Sequence, residues 1–278
     1  MTLEILEKEN PTHIAVVFDT SAPTERHIEF PAYKANRDET PEGIKVAVPY
    51  IKKLLEAFNI PSLFVDGFEA DDVIGTLAKK AEKEGYFTYM MTPDKDFGQL
   101  VSENIKMYRP GPGGEPAQIW GIAEICEKFG INNVDQVVDF LGMKGDAVDN
   151  IPGIPGVGDK TASKLILEYG SMENMYEHAD EIKGKIGEKI RDNKEQALLS
   201  KRLARIITDV PIEFNEKNLT RDPVDIEKIK TLFEELEFRT LSRRVLAEDL
   251  TPGAPAPSAA KSVTQEGDQM DLFGTSTA

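Results

Sequence analysis

The sequence predicts an α/β core, in which helices flank a mostly parallel sheet, followed by a helical domain and a flexible tail. Three observations predict this. Short β-branched and aromatic runs alternate with helical stretches through the first 110 or so residues. From Ile119 onward apolar residues recur at helical spacing. From Thr251 the composition turns to Pro, Ala, Ser, Thr and Gly, as in a linker.

Taken in order, strands are expected at His13 to Phe18, Ser62 to Val65, Phe87 to Met91 and Ile105 to Tyr108. The helices between them are expected at Gly43 to Phe58, opening after Thr40-Pro41, and at Asp71 to Lys83, closing before Gly85. Past the Gly/Pro-rich turn Pro110 to Pro116 no strand pattern returns, and helical spacing runs through Ile119 to Phe129 and Val134 to Leu141. The expected division is 1–114 for the core, 115–250 for the helical domain and 251–278 for the linker. No repeat of solenoid or propeller period is present.

Composition bounds the function. The chain has 278 residues, 40% of them hydrophobic, enough for a real buried core. Cys126 is the single cysteine, which excludes a disulfide framework and a cysteine-based zinc cluster and fits a reducing compartment. The expected state is a monomer in the cytoplasm. No run reaches the ~18 apolar residues of a membrane span. Met1 to Asn10 is acidic where a signal peptide is basic and then apolar. The net charge of −16 argues against a nucleic-acid partner only if charge is averaged over the chain. Between Lys183 and Arg205 eight basic side chains face three acidic ones, a local patch that suits a phosphate backbone. Taken alone, that run serves equally as a solvated helix face.

The strongest chemical signal is where the acids fall. Asp19 closes the run Ala15-Val16-Val17-Phe18; Glu69, Asp71 and Asp72 follow Phe64-Val65-Asp66-Gly67; Asp94 and Asp96 follow Tyr89-Met90-Met91-Thr92-Pro93. These are the C-terminal ends of predicted strands, where open α/β sheets bind ligands. Glu69 and Asp72 are spaced i, i+3, as are Asp146 and Asp149 further on, so a helix places each pair on one face. A lone Asp is most often a cap or a solvated charge. The ordering of the whole set is what carries the argument. Converging carboxylates raise one another's pKa unless cations intervene. Oxygen ligands without His or Cys select Mg2+, with Mn2+ as a substitute, and two such ions suit phosphodiester hydrolysis.

Other chemistries fit less well. His13, His27 and His178 have no partner at ligand spacing, and no Gly-x-Ser-x-Gly elbow occurs. Gly153 to Thr161 approaches a Walker A loop, but Asp159 stands where it would meet the phosphates. The stretch Asn150 to Ala162 instead sets small and rigid residues before a helix that runs to about Tyr169. Gly153, Gly156 and Gly158, with Lys160 and Thr161, would then form an anion nest at the helix start, gripping a DNA backbone without reading sequence. A tight structural turn is the alternative reading of the same glycines.

At these residues the sequence resembles the 5′ nuclease family that includes the exonuclease domain of bacterial DNA polymerase I and the flap endonucleases. The resemblance runs from about Pro11 to Leu246. It rests on Ala15-Val16-Val17-Phe18-Asp19, Tyr33-Lys34-Ala35-Asn36-Arg37, Glu69 through Ala78, Asp94-Lys95-Asp96 and Gly145 through Lys160. It implies a PIN-like nuclease core and a helical domain with a helix-hairpin-helix at Gly153 to Thr161. It also implies a two-metal site made by Asp19, Glu69, Asp71, Asp72, Asp94, Asp96, Asp146 and Asp149. Lys34 and Arg37 are implied to lie in a mobile arch over the scissile phosphate, although from the residues alone they are two exposed basic side chains. The family begins with a strand ending in Asp-Gly, and the sequence is expected to lack that strand and one ligand with it. A catalytically silent DNA-binding module is therefore the alternative to a nuclease, and a single-stranded ribonuclease of the related toxin type is a third reading. In the tail, Gln269-Met270-Asp271-Leu272-Phe273 resembles the peptide with which bacterial replication proteins dock on the sliding clamp.

Overall fold

The computed structural model describes residues 2–111 and 115–247. Among the described residues five short strands form two sheets. β1 (Val16–Val17) pairs in parallel with β2 (Ser62–Leu63), Val16 opposite Ser62. β3 (Thr88–Met91) pairs in parallel with β4 (Ile105–Arg109), which pairs antiparallel with β5 (Gln118–Trp120). The mostly parallel character agrees with the sequence reading, but β1, β2 and β3 are shorter than expected, β4 runs one residue further, and β5 was not foreseen. Three residues beginning with a polar Gln118 show no alternation to detect. Ile119 belongs to this strand, so the next helix, α5 (Ile122–Phe129), starts three residues later than the spacing suggested.

The flanking helices are α1 (Thr2–Lys8), α2 (Glu25–Glu29), α3 (Glu42–Ala57) and α4 (Ala70–Lys83). α4 follows the helix dipole, with Asp71 and Asp72 in its first turn and Lys80 and Lys83 in its last. A 3-10 segment, Lys95–Leu100, leaves the end of β3. Beyond α5 come α6 (Val137–Lys144), α7 (Asp159–Tyr169), α8 (Met172–Glu177), α9 (Gly184–Asp192) and α10 (Lys194–Ala204). The described chain ends in α11 (Glu216–Leu219), α12 (Ile226–Glu235) and α13 (Arg239–Ala247). No described helix is long and apolar enough to cross a membrane.

One apolar core joins the β3–β4 face to the helices that follow: Met90, Phe97, Ile105 and Met107 pack in one cluster with Ile125, Leu141, Ile166, Met172 and Ile190. A second core lies around β1 and β2. There Leu6 of α1 and Leu55 of α3 meet Ile229 and Phe233 of α12 and Val245 of α13. The end of the described chain thus returns to the first half, and Ile14 donates its N–H to the Leu219 carbonyl at 2.9 Å.

Candidate metal centre and nucleic-acid interface

Each acid is placed by local backbone geometry. Asp19 follows β1, and its Oδ1 accepts the N–H of Ala70 at 2.8 Å, so it is fixed at the start of α4. Glu69 is the N-cap residue of α4 and is buried; its carboxylate accepts from the Tyr33 hydroxyl at 3.1 Å and from Lys34 Nζ at 2.8 Å. Two residues on, the Asp71 carboxyl is pushed up to about 7, by burial first and then by the charges of Asp94 and Glu69, with Asp19 adding a smaller push. After β3, Asp94 Oδ1 accepts the Asp96 N–H at 2.9 Å and opens the 3-10 turn. Asp96 is pushed up to about 6, chiefly by burial, with Asp94 and Asp146 outweighing the opposing Lys95 only in company with that burial.

The loop after α6 supplies the remaining pair. Asp146 and Ile151 exchange backbone hydrogen bonds at 2.9 and 2.7 Å, and Asp146 Oδ1 accepts the Val148 N–H at 2.7 Å. Asp149 is ion-paired with Arg37, and Lys34 Nζ lies 3.8 Å from its other oxygen. Asp19, Glu69, Asp71, Asp94, Asp96, Asp146 and Asp149 are thus linked in one electrostatically coupled group. Among the described residues no three acids, His or Cys already close into a cage. Instead, cations are interleaved with the acids: Lys34 on Glu69, Arg37 on Asp149, and Lys95 at 3.0 Å from Asp96 and 3.6 Å from Asp146. A set of carboxylates that needs this much positive charge, with no sulfur or imidazole in it, fits hard divalent cations.

Asp72 stands apart from the set in which the sequence placed it. It is fully buried, and both its oxygens take the Arg26 guanidinium at 2.7 Å. It also accepts the N–H of Ile207 at 2.8 Å and of Glu69 at 3.2 Å. Those four contacts occupy both carboxylate oxygens, so the structure gives Asp72 a bracing place beside Glu69. The i, i+3 spacing misled because α4 buries Val73 and Thr76, and Asp72 lies on that inward side. Lys34 and Arg37 also differ from expectation. From the residues alone both read as exposed basic side chains, whereas both are paired with the acids and Lys34 is largely buried. Sequence reasoning missed Arg26, Tyr33 and Lys95. Tyr33 and Lys95 sit inside the quoted motifs, beside Lys34 and between two aspartates; Arg26 carries no local signal.

The glycine hairpin joins α6 to α7. Gly153 and Gly156 have positive φ, 61° and 83°, whereas Gly158 has φ −107° and is the N-cap of α7. Gly153 is buried and not available to a ligand: a Cβ there would meet Gly145 N and Lys144 C at 2.5 Å. Its N–H donates to Ser200 Oγ at 2.9 Å, and its carbonyl accepts from Gln196 Nε2 at 2.8 Å. The exposed apex is Pro155, Gly156, Gly158, Asp159 and Lys160, with Thr161 half-buried. Helix N-terminal N–H groups lack intrahelical acceptors and suit an anion. Lys189 of α9 brings its ammonium over Gly156, 2.6 Å from where a Cβ would be. The basic run is partly spent within the protein, since Lys201 pairs with Asp139 and Glu173, and Arg202 with Glu29.

Two family models match in succession: the N-terminal resolvase-like domain of 5′-3′ exonucleases over residues 1–130 and their C-terminal SAM fold over residues 132–227. The chain belongs to the 5′-3′ exonuclease family. It is similar to DNA polymerase I of Bacillus subtilis, 40% identical over 248 residues, and of Mycobacterium tuberculosis, 39% identical over 255 residues. Those alignments take in 89% and 92% of the chain and 28% of each polymerase, so the chain spans about a quarter of the length of these relatives. Among solved structures, T5 5′-exonuclease with divalent metal ions (zinc) bound matches with a TM-score of 0.63 and 21% identity, over 84% of this chain and 88% of that one. The catalytic core of Rad2 in complex with DNA substrate matches with a TM-score of 0.57 and 14% identity, over 84% of this chain and 76% of that one. At those identities the structural matches establish the fold.

Proposed function

We propose that the chain is a structure-selective 5′ nuclease, acting in the cytoplasm as a monomer on DNA 5′ ends and flaps, and on RNA primers paired to DNA, in replication and repair. The observation that carries this reading is the coupled carboxylate group with Lys34 and Arg37 among its members. Asp19, Glu69, Asp71, Asp94, Asp96, Asp146 and Asp149 would hold two Mg2+ ions, for which Mn2+ can substitute. When bound, such ions lower the pKa of water and stabilise charge on attacking and leaving oxygens. Lys34 and Arg37, released from Glu69 and Asp149 as the acids turn to the ions, would bind the scissile phosphate and stabilise its developing charge. The hairpin apex at Gly156 and Gly158, with Lys160, Thr161 and Lys189, would grip the duplex backbone without reading bases.

The second reading is a silent DNA-binding module, favoured by the lack of a preformed acid cage among the described residues. One experiment separates the two. The chain is incubated with a labelled 5′-flap duplex and Mg2+, beside an Asp94→Ala, Asp96→Ala variant. Metal-dependent cleavage lost in the variant supports the nuclease; duplex binding without cleavage supports the module; cleavage surviving the double substitution refutes the assigned site. The segment Gln269 to Phe273 lies outside the described residues. Docking on a sliding clamp is proposed for it, and deletion of residues 269–273 that leaves clamp binding unchanged refutes that proposal.

A further inference from the structure

Resting on the nuclease reading, we infer that Asn36 and Asn150 form a latch that positions Lys34 and Arg37 on the acid loop. Besides the Arg37–Asp149 ion pair, three hydrogen bonds cross between the segment Ala32–Arg37 and the loop Asp146–Asn150. Asn150 Nδ2 donates to the Ala32 carbonyl at 2.6 Å, Asn36 Nδ2 donates to the Ala147 carbonyl at 2.8 Å, and the Lys34 N–H donates to the Asp149 carbonyl at 2.9 Å. The two chain segments lie more than a hundred residues apart in sequence, and neither asparagine touches an acid side chain in these bonds. Each side-chain amide ties its own segment to a backbone carbonyl of the other, which leaves the Lys34 and Arg37 side chains free to exchange partners while their Cα positions stay fixed.

Backbone geometry singles out the same place. Lys34 and Asn150 both adopt left-handed backbone, φ 56° and 57°, a conformation that asparagine tolerates and lysine resists. The Lys34 conformation therefore has to be held by its surroundings, and the latch bonds add to the local turn bonds, such as Arg37 N–H to the Lys34 carbonyl at 3.0 Å, that hold it. The loop continues directly through Ile151 into the hairpin, where Gln196 and Ser200 clamp Gly153. The latch thus connects the proposed phosphate-binding cations to the part of the molecule that grips the duplex.

The test uses Asn150→Gly, which keeps the left-handed backbone and removes the amide, Asn36→Ala, and the two combined. Amide exchange of Lys34, in the ion-free protein, reads the latch directly: the combined variant is expected to exchange at that site about 10-fold faster or more, with the urea midpoint held. In flap cleavage kcat is expected to fall about 10-fold or more, with KM within about 2-fold, as misplacement of a catalytic group does. Added to Arg37→Ala and Lys34→Ala, the latch substitutions should cost less than about 2-fold further, because the groups they position are gone. Asn150→Asp, which tolerates the same backbone but turns the donor into an acceptor, should behave like Asn150→Gly. Unchanged Lys34 exchange in the combined variant, or losses that multiply in the cycle, overturns the inference. A wild-type chain that does not cleave refutes the nuclease reading instead, and the exchange measurement still decides whether the latch exists.

Discussion

Removing the Arg26 guanidinium should cost the fold more than any other single surface-to-core truncation near the site. Arg26 is 7% exposed and Asp72 0%, so Arg26→Ala strands a carboxylate in the interior with only the N–H groups of Ile207 and Glu69 left to it. Breaking one side of a buried pair of this kind costs about 3–5 kcal/mol. Arg26 also donates to the carbonyls of Leu203 at 3.0 Å and Arg205 at 2.7 Å, and each lost bond adds about 1 kcal/mol. Against a typical total stability of about 5–15 kcal/mol, the variant should show a large drop in urea midpoint. Replacing both partners, Arg26→Met with Asp72→Asn, should recover more than half of that loss, since no unpaired charge remains. The folded double variant should still bind Mn2+ in a titration, because both Asp72 oxygens are taken up by Arg26 and backbone N–H groups. A loss below about 1 kcal/mol for Arg26→Ala refutes the energetic argument, and a folded double variant that no longer binds Mn2+ returns Asp72 to the ligand set.

The other expectations follow from the same geometry. Asp71 and Asp96 have folded-state pKa values raised to about 7 and about 6, so in ion-free protein their contribution to stability is full below their ordinary range near 3.8 and is lost as pH rises through those values. Thermal melts in EDTA should therefore fall between pH 5 and 8 from this source, and Mg2+ should raise Tm more at pH 8 than at pH 5; an equal shift at both refutes it. Gly153→Ala, with its backbone clash and positive φ, should lose more than about 1 kcal/mol, whereas Gly158→Ala, with nothing within 4 Å of its Cβ, should stay within about 0.5 kcal/mol in the same urea titration. Lys185→Ala with Lys189→Ala should lower the slope of log K against log salt for duplex binding by about 2, while Lys201→Ala, whose charge is already paired inside the protein, should change it little.

How far the sequence discloses this site depends on how local each signal is. Asp19, Asp94 and Asp96 stand at strand ends and Glu69 at a helix start, so short motifs reveal them. The Asp146–Asp149 spacing reads as a helical turn, yet these residues lie in a loop closed by the Asp146–Ile151 bridge; the pair is brought to the site by tertiary packing. Asp72 was legible as an acid but not as a buried partner, because Arg26 lies 46 residues earlier with nothing between to mark it. Fold class was legible for a similar reason. Parallel strands followed by helices announce themselves by period, whereas β5 is too short to have one. The return of α12 and α13 to α3 and β1 is a non-local contact that no window of sequence contains.

The core that runs from Met90 and Phe97 to Ile125, Ile166 and Ile190 has a consequence for how such a chain can diverge. The two matched segments carry separate domain descriptions, but they share a single interior. A Cβ on Gly75 of the first segment would already lie 2.9 Å from the Ile206 side chain of the second. Neither segment can therefore be exchanged for a distant cousin's, or drift far in shape, unless its counterpart changes in step. Novelty is left to the outer loops and to the charges upon them.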